Sequence, residues 1–248
     1  YLVMRLKQEK INIIYLRIIQ IEKKLIIKMH LTRDKKIWVP DNDNYVRWGA
    51  NYEQKQFDSA MKYVSNRKVA LDCGGHVGIW TKRLSYLFDT VIAFEPIPKH
   101  IECHKKNCTE SNITLNECAL SDKETKMDMK VGTGRNTGRS TLEYKSNLVK
   151  GDNEIIEIQT KTLDSFNIPH VDFMKIDVEK HEVKLIQGAK ETIKRCEPII
   201  FIEDHNYFYK RGATGIDWLM MMGYEILDYV GSYNYILKQS GMFKNSQA

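Results

Sequence analysis

From residue 69 onward the chain alternates short apolar runs with longer stretches in which apolar residues return every three or four positions. The short runs, rich in Val, Ile and Phe and bounded by turn residues, predict buried strands over 69–73, 90–95, 113–118, 155–160, 171–177 and 198–203. The three-to-four spacing predicts helices over 77–87, 98–109, 182–194 and 213–222. Two last strands, 224–229 and 233–238, are separated only by Val230, Gly231 and Ser232, a length that suits a hairpin. Strands that alternate with helices form a mostly parallel sheet covered on both faces, here with one edge strand running antiparallel. Residues 122–153 break the alternation. They contain KVGTGRNTGRSTL, whose glycines predict a polar, mobile insertion with two readings: a loop in which Arg135 or Arg139 pairs with an acidic group or sugar oxygen on the acceptor, or a solvated hairpin with no contact role.

The amino-terminal forty residues have a different pattern. Ile11, Ile14, Ile18, Ile21 and Leu25 recur at helical spacing, and Ile13, Leu16, Ile19, Ile26 and Ile27 widen the apolar face. Arg17, Glu22, Lys23 and Lys24 interrupt the run, which falls short of the roughly 18 apolar residues a membrane span needs. No small-residue cleavage site comes after it, so the segment does not read as a secretion signal. Residues 1–36 hold ten Lys/Arg and three Asp/Glu, a net of +7 against +6 for the whole chain, so the other 212 residues are close to neutral. We therefore divide the chain into a basic amphipathic helical segment, 1–40, and one domain, 41–248. The segment is expected to mediate self-association or contact with a membrane surface. A near-neutral body lacks the basic face of a nucleic-acid binder, which argues against a nucleic acid as partner. Five cysteines with no C-x-x-C pair point to a reducing compartment, and hence to a cytoplasmic location.

The candidate chemistry begins at Asp72-Cys73-Gly74-Gly75-His76-Val77-Gly78, on the turn between the first predicted strand and helix. Glycines there allow tight reversal and let a ligand approach the backbone. Glu95 ends the next strand, before Pro96 and Pro98, where a carboxylate can accept hydrogen bonds from ribose hydroxyls. A dinucleotide fold uses G-x-G-x-x-G to seat a pyrophosphate; here Cys73 precedes Gly74 and the first glycine is missing. The pattern suits a cofactor without pyrophosphate, which points to S-adenosylmethionine. His100, Cys103, His104 and Cys108 fall on one face of the next helix, but one straight helix cannot wrap four ligands around zinc.

A second block, VDFMKIDVEKHEVKLIQGAKETIKRCEPIIFIEDH, resembles the FkbM-type methyltransferases. It supplies Lys175, Ile176, Asp177, Val178, Glu179, His181, Glu182, Gly188, Ala189, Pro198 and Glu203 in the family's order; ALDCGG, AFEP and CALSD, and Ser140-Thr141, fit the same pattern. The resemblance covers roughly residues 50–240. It implies a Rossmann-like, seven-stranded, mostly parallel sheet with an antiparallel C-terminal strand and helices on both faces. It also implies S-adenosylmethionine-dependent methyl transfer, to the oxygen of a sugar or another small hydroxylated metabolite. Lys180 departs from the pattern, standing where the family has glycine.

In an open α/β sheet, ligands bind beyond the carboxyl ends of the strands, so Asp72, Glu95, Cys118, Asp177 and Glu203 should ring one crevice. There Asp72 is expected near the methionine amine, with Gly74, Gly75 and Gly78 under the cofactor. Glu95 is expected on the ribose, and the Cys118-Ala119-Leu120 backbone beside adenine. For the proton of the acceptor hydroxyl the candidates are Asp177, Glu179, His181, Glu203 and His205, with Asp177 as positioning group and His205 or His181 as base. A metal-assisted version would place magnesium on Asp177, Glu203 and Asp204. Two other classes stay open: a nicotinamide oxidoreductase, and a non-catalytic scaffold that uses its basic amino-terminal segment to hold a partner.

Overall fold

The computed structural model describes residues 28–41, 43, 49–133, 137–143, 153–209, 212–231 and 233–241. The predicted amphipathic stripe from Ile11 to Ile27 lies outside them, as does Arg135. Residues 28–41, next after the stripe, are not helical. Met29–Leu31 (β1) and Trp38–Pro40 (β2) pair as an antiparallel hairpin, closed where the Thr32 nitrogen donates to the Ile37 carbonyl.

Seven strands make the main sheet. After helix α1 (Gln54–Met61) come β3 (Val69–Cys73), α2 (Ile79–Ser85), β4 (Thr90–Phe94), α3 (Pro98–Asn107) and β5 (Ile113–Asn116). Two short strands, β6 (Ala119–Leu120) and β7 (Thr125–Gly132), precede β8 (Asn153–Lys161). The chain returns through β9 (Phe173–Ile176), α4 (Glu182–Gly188), α5 (Lys190–Cys196), β10 (Ile199–Glu203), α6 (His205–Tyr209) and α7 (Gly215–Met221), and ends in β11 (Tyr224–Tyr229) and β12 (Asn234–Gln239). The sheet order is β11-β12-β10-β9-β3-β4-β5, with β10, β9, β3, β4 and β5 mutually parallel. The antiparallel strand is β12, and it pairs with both β10 and β11. It therefore lies one place in from the edge, not on the edge as the chain order predicts.

Period-two alternation sends successive strand residues to opposite faces. Leu71, Phe94, Met174, Ile176, Ile200 and Ile202 pack on Leu185, Ile186, Ile193, Ile216 and Leu219 from α4, α5 and α7. Ala70, Val91, Phe173 and Phe201 face the other way, onto Phe57 and Ala60 of α1 and Trp80 and Leu84 of α2. By the same alternation Asp72 and Lys175 point to the α1–α2 side, which brings their opposite charges together in the interior.

Two further differences from the sequence reading concern the insertion and the helix after β9. The insertion is not a loop throughout: β7 pairs with β8 from Thr125↔Thr160 to Gly132↔Asn153, and β6 adds a parallel strand, so residues 119–161 carry a separate three-stranded sheet. Its hydrophobic side, with Met129, Val131 and Ile158, packs with Ile97 and Leu142. The expected helix over 182–194 is two helices. Ala189 leaves helical geometry (φ −112°, ψ 4°) directly after Gly188, which lies so close to the chain following β6 that a Cβ on it would stand 1.9 Å from the Ser121 carbonyl oxygen. Among the described residues no helix is long and apolar enough to cross a membrane.

Candidate functional site

The strand order reverses between β3 and β9, and the carboxyl ends of these two strands meet closely. Gly74 has φ +90°, and a Cβ there would lie 1.9 Å from the Asp177 carbonyl oxygen. Glycine is thus required twice over, by backbone angle and by space. The Gly74 and Gly75 nitrogens both donate to the Phe94 carbonyl, which ties the turn to the end of β4 (3.1 and 2.9 Å). Gly78 ends the turn at φ +90°, where a Cβ would strike Cys108 Sγ.

Glu95 comes directly after β4 and is 4% exposed. Its Oε2 accepts the His76 backbone N–H (2.9 Å); its Oε1 accepts that of Ile97 (3.0 Å) and lies 3.2 Å from His100 Nδ1. The His100 Nε2 reaches Thr137 Oγ1 at 3.0 Å, and the Thr137 hydroxyl donates to Asp43. The His76 and His100 rings meet edge to face, with centroids 4.2 Å apart. Burial, then the neighbouring imidazole, pushes His76 down to about 4; burial lowers His100 to about 3, so both are neutral at pH 7. Burial also raises the Glu95 carboxyl, against the opposing pull of His76. The His76 Nε2 is buried without a hydrogen-bond partner among the described residues.

Beneath this turn is a buried charge cluster. Lys175, 2% exposed, donates to the Gly74 carbonyl (3.1 Å) and pairs with Asp177 (3.2 Å) and Asp72 (3.5 Å). Burial lowers its pKa, but Asp177, Asp72 and Glu53 more than reverse that, so it stays charged. Asp72 is fully enclosed; its Oδ2 accepts the Thr81 hydroxyl (2.6 Å), whose oxygen also meets His104 Nε2 (2.9 Å). Any part Asp72 plays in holding a cofactor therefore passes through Lys175 and the turn, not through contact. Glu53 accepts the Trp80 indole N–H at 2.7 Å, and burial together with the Asp177 charge raises its carboxyl to about 7.

The other wall comes from the turn after β9 and the end of β10. Glu179 (φ +52°) and Lys180 (φ +76°) both occupy the left-handed region, braced by the Thr141 hydroxyl on the Glu179 carbonyl (2.6 Å) and by the Lys180 N–H on Glu182 (2.9 Å). Burial, then Asp177 and Glu203, raises Glu179 well above the carboxylate range. His181 is 3% exposed, with Nε2 on the Ser121 hydroxyl (2.9 Å) and Nδ1 on Glu143 (3.0 Å), so both ring nitrogens are engaged. It ties the β6 end and the insertion to the turn. His205 is different. Its Nε2 meets Glu203 Oε1 at 2.7 Å, and its ring stacks on Tyr233 with centroids 4.0 Å apart. Tyr209 and Tyr233 share a hydrogen bond through their hydroxyls (2.9 Å), and Phe208 packs edge-on to both.

The structure thus brings Glu95, Asp177, Glu179, Glu203 and His205 to the carboxyl ends of neighbouring strands. Cys118 is buried in the main core and Ala119 packs with Ile97, so what this stretch has to present to a ligand is its backbone. No group of three or more His, Cys, Asp or Glu side chains among the described residues is arranged to hold a metal ion. The magnesium expectation finds no support at Asp204, whose two oxygens already accept the backbone N–H groups of Tyr207 and Ile216. The helical His/Cys set is likewise committed, with His100 on Thr137, His104 on Thr81 and Cys108 donating to the Gly78 carbonyl.

The model of the methyltransferase FkbM domain matches residues 72–237, two-thirds of the sequence and all of these strand ends. The chain belongs to the FkbM methyltransferase family. That membership displaces the oxidoreductase alternative. Among solved structures it is similar to a methyltransferase FkbM from Methylobacillus flagellatus KT, at 14% identity and a TM-score of 0.49, over 78% of this chain and 51% of that one. It therefore spans about half the length of that relative. Other similar structures are a precorrin-6y C5,15-methyltransferase from Geobacter metallireducens GS-15 (13%, TM-score 0.46, 75% and 87% covered) and a methyltransferase of Streptococcus mutans in complex with SAH (10%, 0.45, 75% and 94%). No curated protein matches the chain.

In this FkbM domain three contributors escape a motif reading. Glu53 lies before the first motif, and its only signal is that a buried indole such as Trp80 needs an acceptor. Asp43 and Thr137 reach the site from the hairpin side and from the insertion. Glu182, buried beside the turn, makes a test of pH. Burial, then Asp204, raises its carboxyl from 4.5 to about 8 in the fold. A carboxyl whose pKa is raised on folding contributes stability fully below about pH 4.5, and that contribution is lost as pH rises toward 8. Glu182→Gln, which keeps the acceptor for the Lys180 N–H, should flatten the fall in melting temperature across this window. Parallel pH profiles for both proteins would refute the assignment.

Proposed function

We propose that this domain transfers a methyl group from S-adenosylmethionine to a hydroxyl oxygen of a sugar or similar small polyhydroxylated molecule. The observation that carries the reading is the His205–Glu203 pair at 2.7 Å, set at the end of β10 and flanked by aromatic rings. A histidine held by a carboxylate is the arrangement of an oriented general base. His181 cannot take that part without breaking its bonds to Ser121 and Glu143.

The residues present fit the cofactor. Glu95 accepts two backbone N–H groups, leaving acceptor positions for a ribose hydroxyl, and the His76 Nε2, which has no hydrogen-bond partner among the described residues, supplies a second polar contact. When bound, S-adenosylmethionine supplies an electrophilic methyl carbon on a sulfonium. His205 then takes the acceptor's hydroxyl proton, and Glu203 stabilises the imidazolium that forms. Asp177, locked by Lys175, accepts hydrogen bonds that orient neighbouring hydroxyls, and the buried Glu179 carboxyl adds a further polar contact, so the reacting oxygen is held in line. Phe208 and Tyr209, each about half exposed, and Tyr233 offer an apolar face on which the C–H side of a sugar ring can stack.

The test is release of S-adenosylhomocysteine from S-adenosylmethionine over a panel of monosaccharides, oligosaccharides and small alcohols. His205→Asn should lower kcat about 10²–10⁴-fold while leaving cofactor affinity within about twofold. Unchanged turnover in the variant would remove His205 from the chemistry. Cofactor binding with no product on any hydroxylated acceptor would count against O-methylation, and no cofactor binding would favour the scaffold.

A further inference from the structure

The residue that breaks the family pattern points to a property of the acceptor. Lys180 comes directly after Glu179, and the two form consecutive non-glycine positions at positive φ, +52° and +76°. Side chains in this region are strained and glycine is not, which is a physical reason for the family's glycine at that position. Two left-handed residues in a row at a site turn are the kind of strain a fold keeps when a side chain is needed there.

The Lys180 side chain lines a cavity of about 360 Å³, together with Glu143, Val183, Lys184, Asn206 and Ala213. Two of its lining residues are chain neighbours of the proposed site: Asn206 follows His205, and Lys180 follows Glu179. Its charges are unequally satisfied. Glu143 is bonded to His181, which holds its carboxyl below the usual range, and Lys184 is paired with Asp122 at 2.8 Å. The Lys180 ammonium has no partner among the described residues, so the cavity presents one unspent positive charge. The reacting end, by contrast, carries the Asp177 and Glu203 carboxylates. An acidic reacting end beside a cationic recess would orient a small molecule that has its anionic group at one end and a neutral hydroxyl at the other.

We infer that Lys180 is a specificity-determining residue, and that the acceptor carries an anionic group, a carboxylate or a phosphate, which this cavity receives. The inference rests on the hydroxyl-acceptor reading. Two ligand sources share this chemistry, acidic sugars and sugar phosphates, and separate arms distinguish them. D-glucuronate, D-glucose 6-phosphate and D-glucose would each be titrated calorimetrically into the full chain saturated with S-adenosylhomocysteine, for the native sequence, Lys180→Met and Lys180→Gly.

At least one anionic sugar should bind about tenfold or more tightly than glucose, and both variants should reduce that preference to near unity. Glucuronate alone would identify a carboxylate reader, and glucose 6-phosphate alone a phosphate reader. Lys180→Gly should also melt about 2 °C higher, because it relieves the left-handed strain, and this separates lost recognition from lost folding. Equal affinities for the three sugars, a preference that survives both substitutions, or no binding of any of them would overturn the inference. Heat from S-adenosylhomocysteine in the same experiment leaves the cofactor reading standing in each of those cases. If that ligand itself gives no heat, the methyl-transfer reading fails separately, and the sugar titrations without it still decide the anion preference.

Discussion

Lys175→Met should destabilise the domain by about 3–5 kcal/mol, the largest effect expected of any single substitution outside the glycine turn. The size comes from what the ammonium leaves behind. Asp72 is fully enclosed, its Oδ1 has no hydrogen bond, and Lys175 at 3.5 Å is the positive charge facing it. Methionine fills the volume but strands that carboxylate in the interior, where an unpaired charge is far costlier than a pair. The same ammonium also holds the Gly74 carbonyl and Asp177, so the cofactor turn and the acceptor side should loosen together. Urea denaturation of both proteins measures the loss. Adding Asp72→Asn should recover a large part of it, because the stranded charge is then gone. A loss under about 1 kcal/mol, or no recovery in the double variant, would mean that Lys175 is not the counter-charge of the cluster.

The second large effect is on the cofactor. Glu95→Ala should weaken S-adenosylmethionine binding by at least about 100-fold, or roughly 2.7 kcal/mol. Two losses combine. The ribose loses its acceptor, and the His76 and Ile97 N–H groups lose theirs, so the far end of the glycine turn at His76 loses one of its ties to the end of β4 while the bonds of Gly74 and Gly75 to the Phe94 carbonyl remain. Leaving two buried donors unsatisfied also costs stability, of the order of 1–3 kcal/mol each before relaxation. Glu95→Gln separates the two: its single carbonyl oxygen can keep one backbone bond, so it should fold better than alanine yet still bind the cofactor weakly. Calorimetric titration with S-adenosylmethionine and S-adenosylhomocysteine, alongside thermal melts, reads both quantities. An affinity within threefold of the native value in a folded Glu95→Ala protein would place the ribose elsewhere.

These two residues were not equally legible in the sequence. Glu95 is marked by position alone, because an acidic residue that ends an apolar run before two prolines sits at a strand tip wherever the sheet goes. Lys175 sits inside a recognisable motif, but its task depends on which face of β9 it takes and on what lies there. The alternation along Phe173, Met174 and Lys175 says that Lys175 shares a side with Phe173; it does not say that Asp72, Trp80 and Glu53 share that side. His181 and His205 illustrate the same gap at the acceptor end. Both are histidines close to strand ends, equal as candidates by spacing. Contacts across 38 and 60 residues, to Glu143 and Ser121, remove one of them from service, whereas His205 pairs within two residues and stays accessible.

The errors in the fold have a common cause. The strand Thr125–Gly132 alternates Met127, Met129 and Val131 with Lys126, Asp128 and Lys130, a strand period diluted by charge into something that resembles a loop. The break after Gly188 leaves no mark on helical spacing, and the close approach of Ser121 to Gly188 comes from another element. The place of β12 depends on where its hairpin inserts, and a hairpin can enter a sheet by either arm.

The sequence by itself determined the alternation of strands and helices, the glycine turn, the acidic strand tips and the family, all of which depend on residues close together in the chain. Only the tertiary structure decided that Asp72 is enclosed, that Glu53 and Asp43 belong near the site, that His205 has an orienting carboxylate, and that Lys180 faces a cavity. Hydrophobic period tells each residue whether to face inward, but it is silent about which distant residue it will meet there, and the charges of this site are set by those meetings.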